Sequence, residues 1–168
     1  MKNEVLINAS RFIVLLLLQV LLLNNIQLFG YLTPYLYVLF ILLYPINSDR
    51  ALFLILAFLM GLSVDIFGNS GGIHAAACLC MAYARPLLLK ASFGVSYEYN
   101  AIKIKDMPLG SRFTYVIGLV IVHHLVLFSL EIFSVNHILL ILKSTLFTVV
   151  FTTILLMFIL LLTSSKSR

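Results

Sequence analysis

His74 and Cys78 stand four residues apart, a spacing that places an imidazole and a thiol on one helical face, where they could ligate a metal with Asp65 as a third group. One histidine, one thiol and a distant carboxylate match no recognised ligand spacing, so His74 reads as a packing histidine and no metal is expected. Cys80 cannot join Cys78, because residues two apart on a helix point in different directions. Catalytic chemistry has equally little to work with. Ser63, Ser70, Ser129 and Ser134 lie in no nucleophile-elbow pattern, and the chain carries neither an HExxH metal motif nor a phosphate-binding loop. No catalytic residue and no cofactor are expected, and the protein reads as a non-enzyme. His123 and His124 have no obvious partner in the sequence; neighbours on a helix point about 100° apart, so at least one should face the interior.

These residues sit in an unusual chain. Of its 168 residues 62% are hydrophobic and 10% charged, and the mean hydropathy is +1.13, which places it in a bilayer. Too few polar side chains remain to cover a water-soluble enzyme, a nucleic-acid reader or a secreted module. Cys78 and Cys80 lie inside an apolar run and imply no disulfide framework. Apolar runs at about 12–28, 32–46, 51–67, 72–89, 113–130 and 138–162 predict six helices in a single all-α transmembrane domain. Their continuity excludes the alternation of a membrane barrel. The first run crosses Asn24 and Asn25, and the second is confined between Pro34 and Pro45, so either could be tilted, broken or interfacial. The first has no small-x-small cleavage site after it and is expected to be retained as a helix.

Six spans with a cytoplasmic N-terminus put ten of the 11 basic residues inside and only Lys143 outside, a strong positive-inside bias with both termini cytoplasmic. The same topology gathers Asp65, His74, Glu131, His137 and Lys143 at the outer half. Asp65, His74, Glu131 and Lys143 form a candidate polar cluster there, either pairing to hold helices together or lining an outward pocket. The plainer alternative is interfacial solvation, with Lys143, about 9 Å inside its helix at 1.5 Å per residue, extending its ammonium to the headgroups. The connection at 91–111 is expected to be a cytoplasmic loop, with Phe93, Tyr97 and Tyr99 beside Lys103 and Lys105 at headgroup level.

The least generic stretch runs from Gly61 to Pro86. Gly68, Gly71 and Gly72 permit a tight outer turn, and Gly72, Ala76, Cys80 and Ala84 then recur every fourth residue as a small-residue ridge. That ridge could pack inside the bundle or against a partner helix, and internal packing is the expectation. Gly61, Leu62, Asp65, Gly72, His74, Ala75, Ala82 and Tyr83 reproduce in order a pattern that resembles the MreD family of bacterial rod shape-determining inner-membrane proteins. The resemblance covers the whole chain in architecture and about twenty residues in motif. It implies a non-enzymatic scaffold of the peptidoglycan elongation machinery (the elongasome). Its partners would be an MreC-like single-span protein, more loosely the MreB filament system and the wall synthases, and membrane lipid, with no nucleic acid. It further implies a bundle resembling the substrate-binding subunits of energy-coupling-factor transporters, a likeness of fold alone.

A second class of function stays open beside the scaffold: a small-solute binding or transport subunit with an outward pocket around Asp65, His74 and Glu131. Both rest on an even number of crossings. Reporter fusions at the two ends should report the same, cytoplasmic, side of the membrane; opposite sides would disperse the proposed outer cluster.

Overall fold

The computed structural model describes residues 2–26, 33–94, 104, 107–133 and 135–163, and every regular element among them is helical. α1 (Lys2–Leu17) continues through a π-helical turn, Leu18–Leu22, and a 3-10 turn, Leu23–Asn25. A second 3-10 turn, Leu36–Val38, leads into the short α2 (Leu39–Leu43). The long helices α3 (Arg50–Gly68), α4 (Ile73–Phe93), α5 (Leu109–Ile132) and α6 (Ile138–Leu162) follow. Among the described residues five helices are long and apolar enough to cross a membrane: α1 with its extension, and α3 to α6. The protein is a multi-pass helical membrane bundle, the arrangement in which backbone polar groups are satisfied without water.

Local chemistry sets the helix ends. The Asp49 carboxylate accepts the Leu52 amide at 2.7 Å and starts α3 one residue before the predicted run. Asn69, Gly71 and Gly72 hold left-handed backbone angles (φ 51°, 68° and 94°), which end α3 and turn the chain into α4 within four residues, 69–72. The sixth run coincides with α6, while α4 and α5 outlast their runs. α1 begins well before the apolar run at 12, because no proline or glycine interrupts the polar residues ahead of it. The 91–111 connection is shorter than expected, since α4 continues to Phe93 and α5 starts at Leu109. Phe93 is buried with its ring 5.5 Å from that of Tyr115, rather than at headgroup level. Tyr97, Tyr99, Lys103 and Lys105 lie outside the described residues.

The main departure is the second run. Residues 32–46 predict a spanning helix, yet only 36–43 are helical, about 12 Å at 1.5 Å per residue and too short to cross alone. This piece is nevertheless the centre of the bundle: Tyr37, Val38, Phe40, Ile41 and Leu42 are all at most 1% exposed. A helix this short brings a full set of unpaired end groups into the apolar interior. Neighbouring helices supply the partners. At its start Gln19 Oε1 accepts the amides of Leu36 (2.8 Å) and Tyr37 (3.4 Å), while Gln19 Nε2 donates to the Pro34 carbonyl at 3.1 Å. Gln19 belongs to the π-helical turn and is wholly buried, so that turn directs an amide into the bundle. At the other end Arg11 donates to the Leu43 carbonyl at 3.1 Å, and Arg85 donates to the carbonyls of Leu42 (3.3 Å) and Tyr44. The Tyr115 hydroxyl accepts from Arg85 Nε at 2.8 Å and donates to Leu42 at 3.2 Å. Two guanidinium groups thus face a helix C-terminus, where the backbone dipole favours positive charge. The Phe53 ring covers Arg85, its centroid 4.9 Å from the guanidinium carbon.

Gln19 meets residues 34–37 and Arg11 meets residue 43, so the short segment runs antiparallel to α1. α4 packs against α3 and α5, and α5 against α6. α1 stands at the periphery, with 11% of its apolar window buried against 44% for α6.

Replacing Arg85 by Gln removes the charged donor from two buried carbonyls. The expected loss is about 3 kcal/mol, from ~1.5–3 kcal/mol per hydrogen bond to a charged group, seen as an earlier thermal transition in detergent. Arg85→Lys should recover only part of it, because an ammonium lacks the planar fork.

Candidate functional site

The resemblance-bearing residues meet where α3 packs on the first turn of α4. The Asp65 carboxylate, 4% exposed, accepts the amides of His74 at 3.0 Å and Ala75 at 2.8 Å, and the Ser70 hydroxyl at 2.5 Å. His74 and Ala75 are the second and third residues of α4, whose own N-cap position is Gly72 and has no side chain. Asp65 therefore caps α4 from the preceding helix, placing a carboxylate at the positive end of the α4 dipole. One turn earlier Gly61 lets the backbones touch: a Cβ there would lie 2.3 Å from the His74 carbonyl oxygen and 2.6 Å from Ala75 Cα. Aspartate and glycine thus act together, one bonding the α4 terminus and the other admitting it.

Beyond this junction a chain of polar side chains crosses the bundle. His74 Nδ1 is 2.7 Å from the Tyr37 hydroxyl, which is 2.8 Å from His123 Nε2. His123 Nδ1 faces His124 Nδ1 at 3.4 Å, and His124 Nδ1 is 2.8 Å from the Val120 carbonyl. His124 Nε2 lies 3.3 Å from Thr152 Oγ1 on α6, which accepts the Tyr35 amide at 3.5 Å. Both tyrosine rings interleave with the imidazoles: Tyr35 is 5.4 Å from His74 and 5.3 Å from His124, and Tyr37 is 5.5 Å from His123, centroid to centroid. His123, His124, Tyr37 and Thr152 are wholly buried.

The expected outer cluster forms only in part. Asp65 and His74 adjoin, joined through the His74 amide rather than its ring. Glu131, in the last turn of α5, and Lys143, on α6, are exposed, and neither bonds to Asp65 or His74. The small-residue ridge lies along the margin of the bundle rather than on the fully buried face of α4. Gly72, Ala76 and Ala84 are half-buried and Cys80 is exposed, whereas the buried face of α4 runs through Ala75, Cys78, Ala82, Arg85 and Leu89. Close approach to α3 is achieved by Gly61. Tyr83 is exposed, with the Arg50 guanidinium carbon 5.3 Å from its ring centroid. Both members of the histidine pair are interior, because α5 lies between the α2 segment on one side and α6 on the other. The functional residues absent from the sequence reading are Gln19, Tyr35, Tyr37 and Thr152. The alternation Tyr35-x-Tyr37 after Pro34, unsuited to a lipid-facing helix, is the signal that could have found two of them.

Gly61→Ala should separate α3 from α4, since the contacting atoms are backbone and cannot turn aside. Asp65→Ala should cost about 2 kcal/mol, the upper part of the ~0.5–2 kcal/mol range for a lost N-cap. Ser70→Ala, which spares both amides, should cost under half as much; thermal unfolding of the three variants in one detergent checks the order.

In comparisons with known proteins no family model matches the chain, and no curated protein or solved structure matches it.

Proposed function

We propose that this protein is a scaffold of the bacterial inner membrane, similar to MreD, which docks the single span of an MreC-like partner and so places the peptidoglycan elongation machinery that determines cell shape. The observation that carries this reading is the use made of Asp65. Its carboxylate is engaged on both oxygens by Ser70, His74 and Ala75, so the motif behind the resemblance builds a helix junction. A rigid α3–α4 pair suits a protein whose work is to present a fixed surface.

The topology proposed with it is six crossings with both termini cytoplasmic. The antiparallel run of residues 34–44 beside α1 supports it, because it returns the chain to the end from which α1 started and at which α3 begins. Arg11 and Arg85 meet at that same end, with Arg50 over Tyr83 two residues away on α4, in agreement with a cytoplasmic face. Recognition in the membrane plane is helix against helix, and the outward edge of α4 at Gly72, Ala76, Cys80 and Ala84 lets a partner backbone approach closely. The small-solute reading has less support. Of the side chains assigned to its pocket Asp65 is occupied by backbone amides and Glu131 is exposed on α5.

Co-expression with an MreC-like partner and purification through a tag on that partner tests the scaffold. Photo-crosslinkers at Ala76, Cys80 and Ala84 should capture the partner, and one at Leu139 on α6 should not. Ala76→Leu should reduce recovery about tenfold, equivalent to ~1.4 kcal/mol. Full recovery with both Ala76→Leu and Ala84→Leu would remove α4 as the docking edge.

A further inference from the structure

Arg50 opens α3 as an exposed cation seated on an aromatic ring, its guanidinium carbon 5.3 Å from the centroid of Tyr83 on α4. Among the described residues neither Arg50 nor the exposed Lys90 makes a side-chain hydrogen bond or an ion pair. Asp49, the carboxylate next to Arg50 in sequence, is engaged at the helix end, where it accepts the Leu52 amide at 2.7 Å. A guanidinium over a ring is held by its face, and the N–H donors around its rim stay open to a second group.

The two helices place that rim at a step. Gly61 touches His74 and Ala75, so antiparallel packing sets Arg50 level with about residue 86 of α4, reckoned at 1.5 Å per residue on both helices. α4 runs on to Phe93, about 10 Å past the start of α3 at the same rise, and Lys90 stands on this projecting part. Leu79, Tyr83, Leu87 and Lys90 follow one another at four-, four- and three-residue spacings and share a face of α4. All four are exposed, Tyr83 at 67% and Leu87 at 71%. Arg50 is also the first residue of a helix long and apolar enough to cross a membrane, so the step lies at the edge of the hydrocarbon, with Leu79 leading inward from it.

We propose that this step binds the headgroup of an anionic glycerophospholipid, with the Arg50 guanidinium forking two phosphate oxygens from its seat on Tyr83 and Lys90 adding a second positive charge from the projecting turn. The fork of an arginine matches phosphate in two parallel hydrogen bonds, whereas a lysine contributes a point charge. Tyr83 keeps the long Arg50 side chain against α4, which reduces the freedom it loses when the lipid arrives. The apolar strip of Leu79 and Leu87 selects a lipid over a free anion: both would meet the two cations, and only the lipid covers the strip with its chains. A zwitterionic lipid is disfavoured, since its ammonium group is repelled by the two cations. The site lies wholly on α3 and α4 and requires neither a partner nor a set number of crossings, so it stands or falls separately from the scaffold.

The test is native mass spectrometry of the full chain in mild detergent, titrated in parallel with phosphatidylglycerol, phosphatidylcholine and inorganic phosphate. Phosphatidylglycerol should bind about tenfold more tightly than phosphatidylcholine, and inorganic phosphate should not displace it. Arg50→Gln and Lys90→Gln should each weaken phosphatidylglycerol about fivefold, the factor equivalent to ~1 kcal/mol for a basic residue at an anionic surface. Arg50→Lys, which keeps the charge and loses the fork, should recover under half of that loss, and Tyr83→Leu should weaken binding about threefold. Lys143→Gln, at the other end of the bundle, should change nothing. The substituted side chains are exposed, so the lipid-free thermal transition should stay in place and a lost lipid reports the site rather than the fold. The proposal is overturned if the two lipids bind alike, or if Arg50→Lys and Tyr83→Leu both match the unsubstituted protein. It is overturned equally if Lys143→Gln costs as much as Arg50→Gln, which would mean diffuse attraction, or if inorganic phosphate competes, which would mean a site for a free anion.

Discussion

A helix of eight residues buried in this bundle has no side-chain cap of its own at either end, and the rest of the structure is arranged around that deficit. The segment 36–43 is too short to cross a membrane alone and is packed inside protein, so its first amides and last carbonyls find partners on other helices. Gln19 meets the amides; Arg11, Arg85 and Tyr115 meet the carbonyls. Each of these side chains would be costly in lipid alone, and each is tolerated because it answers a group that would be costlier still. The π-helical turn of α1 follows from the same need, since it is the distortion that carries Gln19 inward. The buried arginine needs no carboxylate: the carbonyls at a helix C-terminus provide the compensating partial charge.

The α3–α4 junction applies the same logic at the opposite face. Gly72 leaves the start of α4 without a cap of its own, and Asp65 supplies it from α3, with Gly61 removing the side chain that would keep the two backbones apart. Between the two devices lies the histidine–tyrosine chain, whose tyrosines come from the lead-in to the short helix. Its geometry therefore depends on how firmly that helix is held.

Much of the fold was legible in the sequence because hydropathy reports length directly. α6 coincides with its apolar run, and α3 differs from its run by a residue at each end, where the Asp49 cap and the Gly-rich turn set its limits. The short helix was not legible as such. Residues 32–46 are as apolar as a true span, and hydropathy does not distinguish lipid contact from burial inside protein; only the flanking Pro34 and Pro45 hinted that the run was interrupted. The candidate site was half legible. Asp65 and His74 stood out as expensive residues in an apolar run, and Gly61 entered with them through the pattern of the resemblance. Their actual partners, two backbone amides and a tyrosine far away in sequence, belong to tertiary structure and leave no local pattern. The fourfold spacing of Gly72, Ala76, Cys80 and Ala84 was real, but periodicity identifies a stripe without saying which way it faces, and here it lies at the margin of the bundle, half-buried at three positions and exposed at Cys80.

The clamp on Leu42–Tyr44 also has a consequence for biogenesis. Its parts leave the ribosome at different times: Arg11 first, the carbonyls next, then Arg85, and Tyr115 last. Until α4 has been made, those carbonyls lack their strongest donors. The short segment thus gains its full set of backbone partners only after translation has passed it, from helices made later.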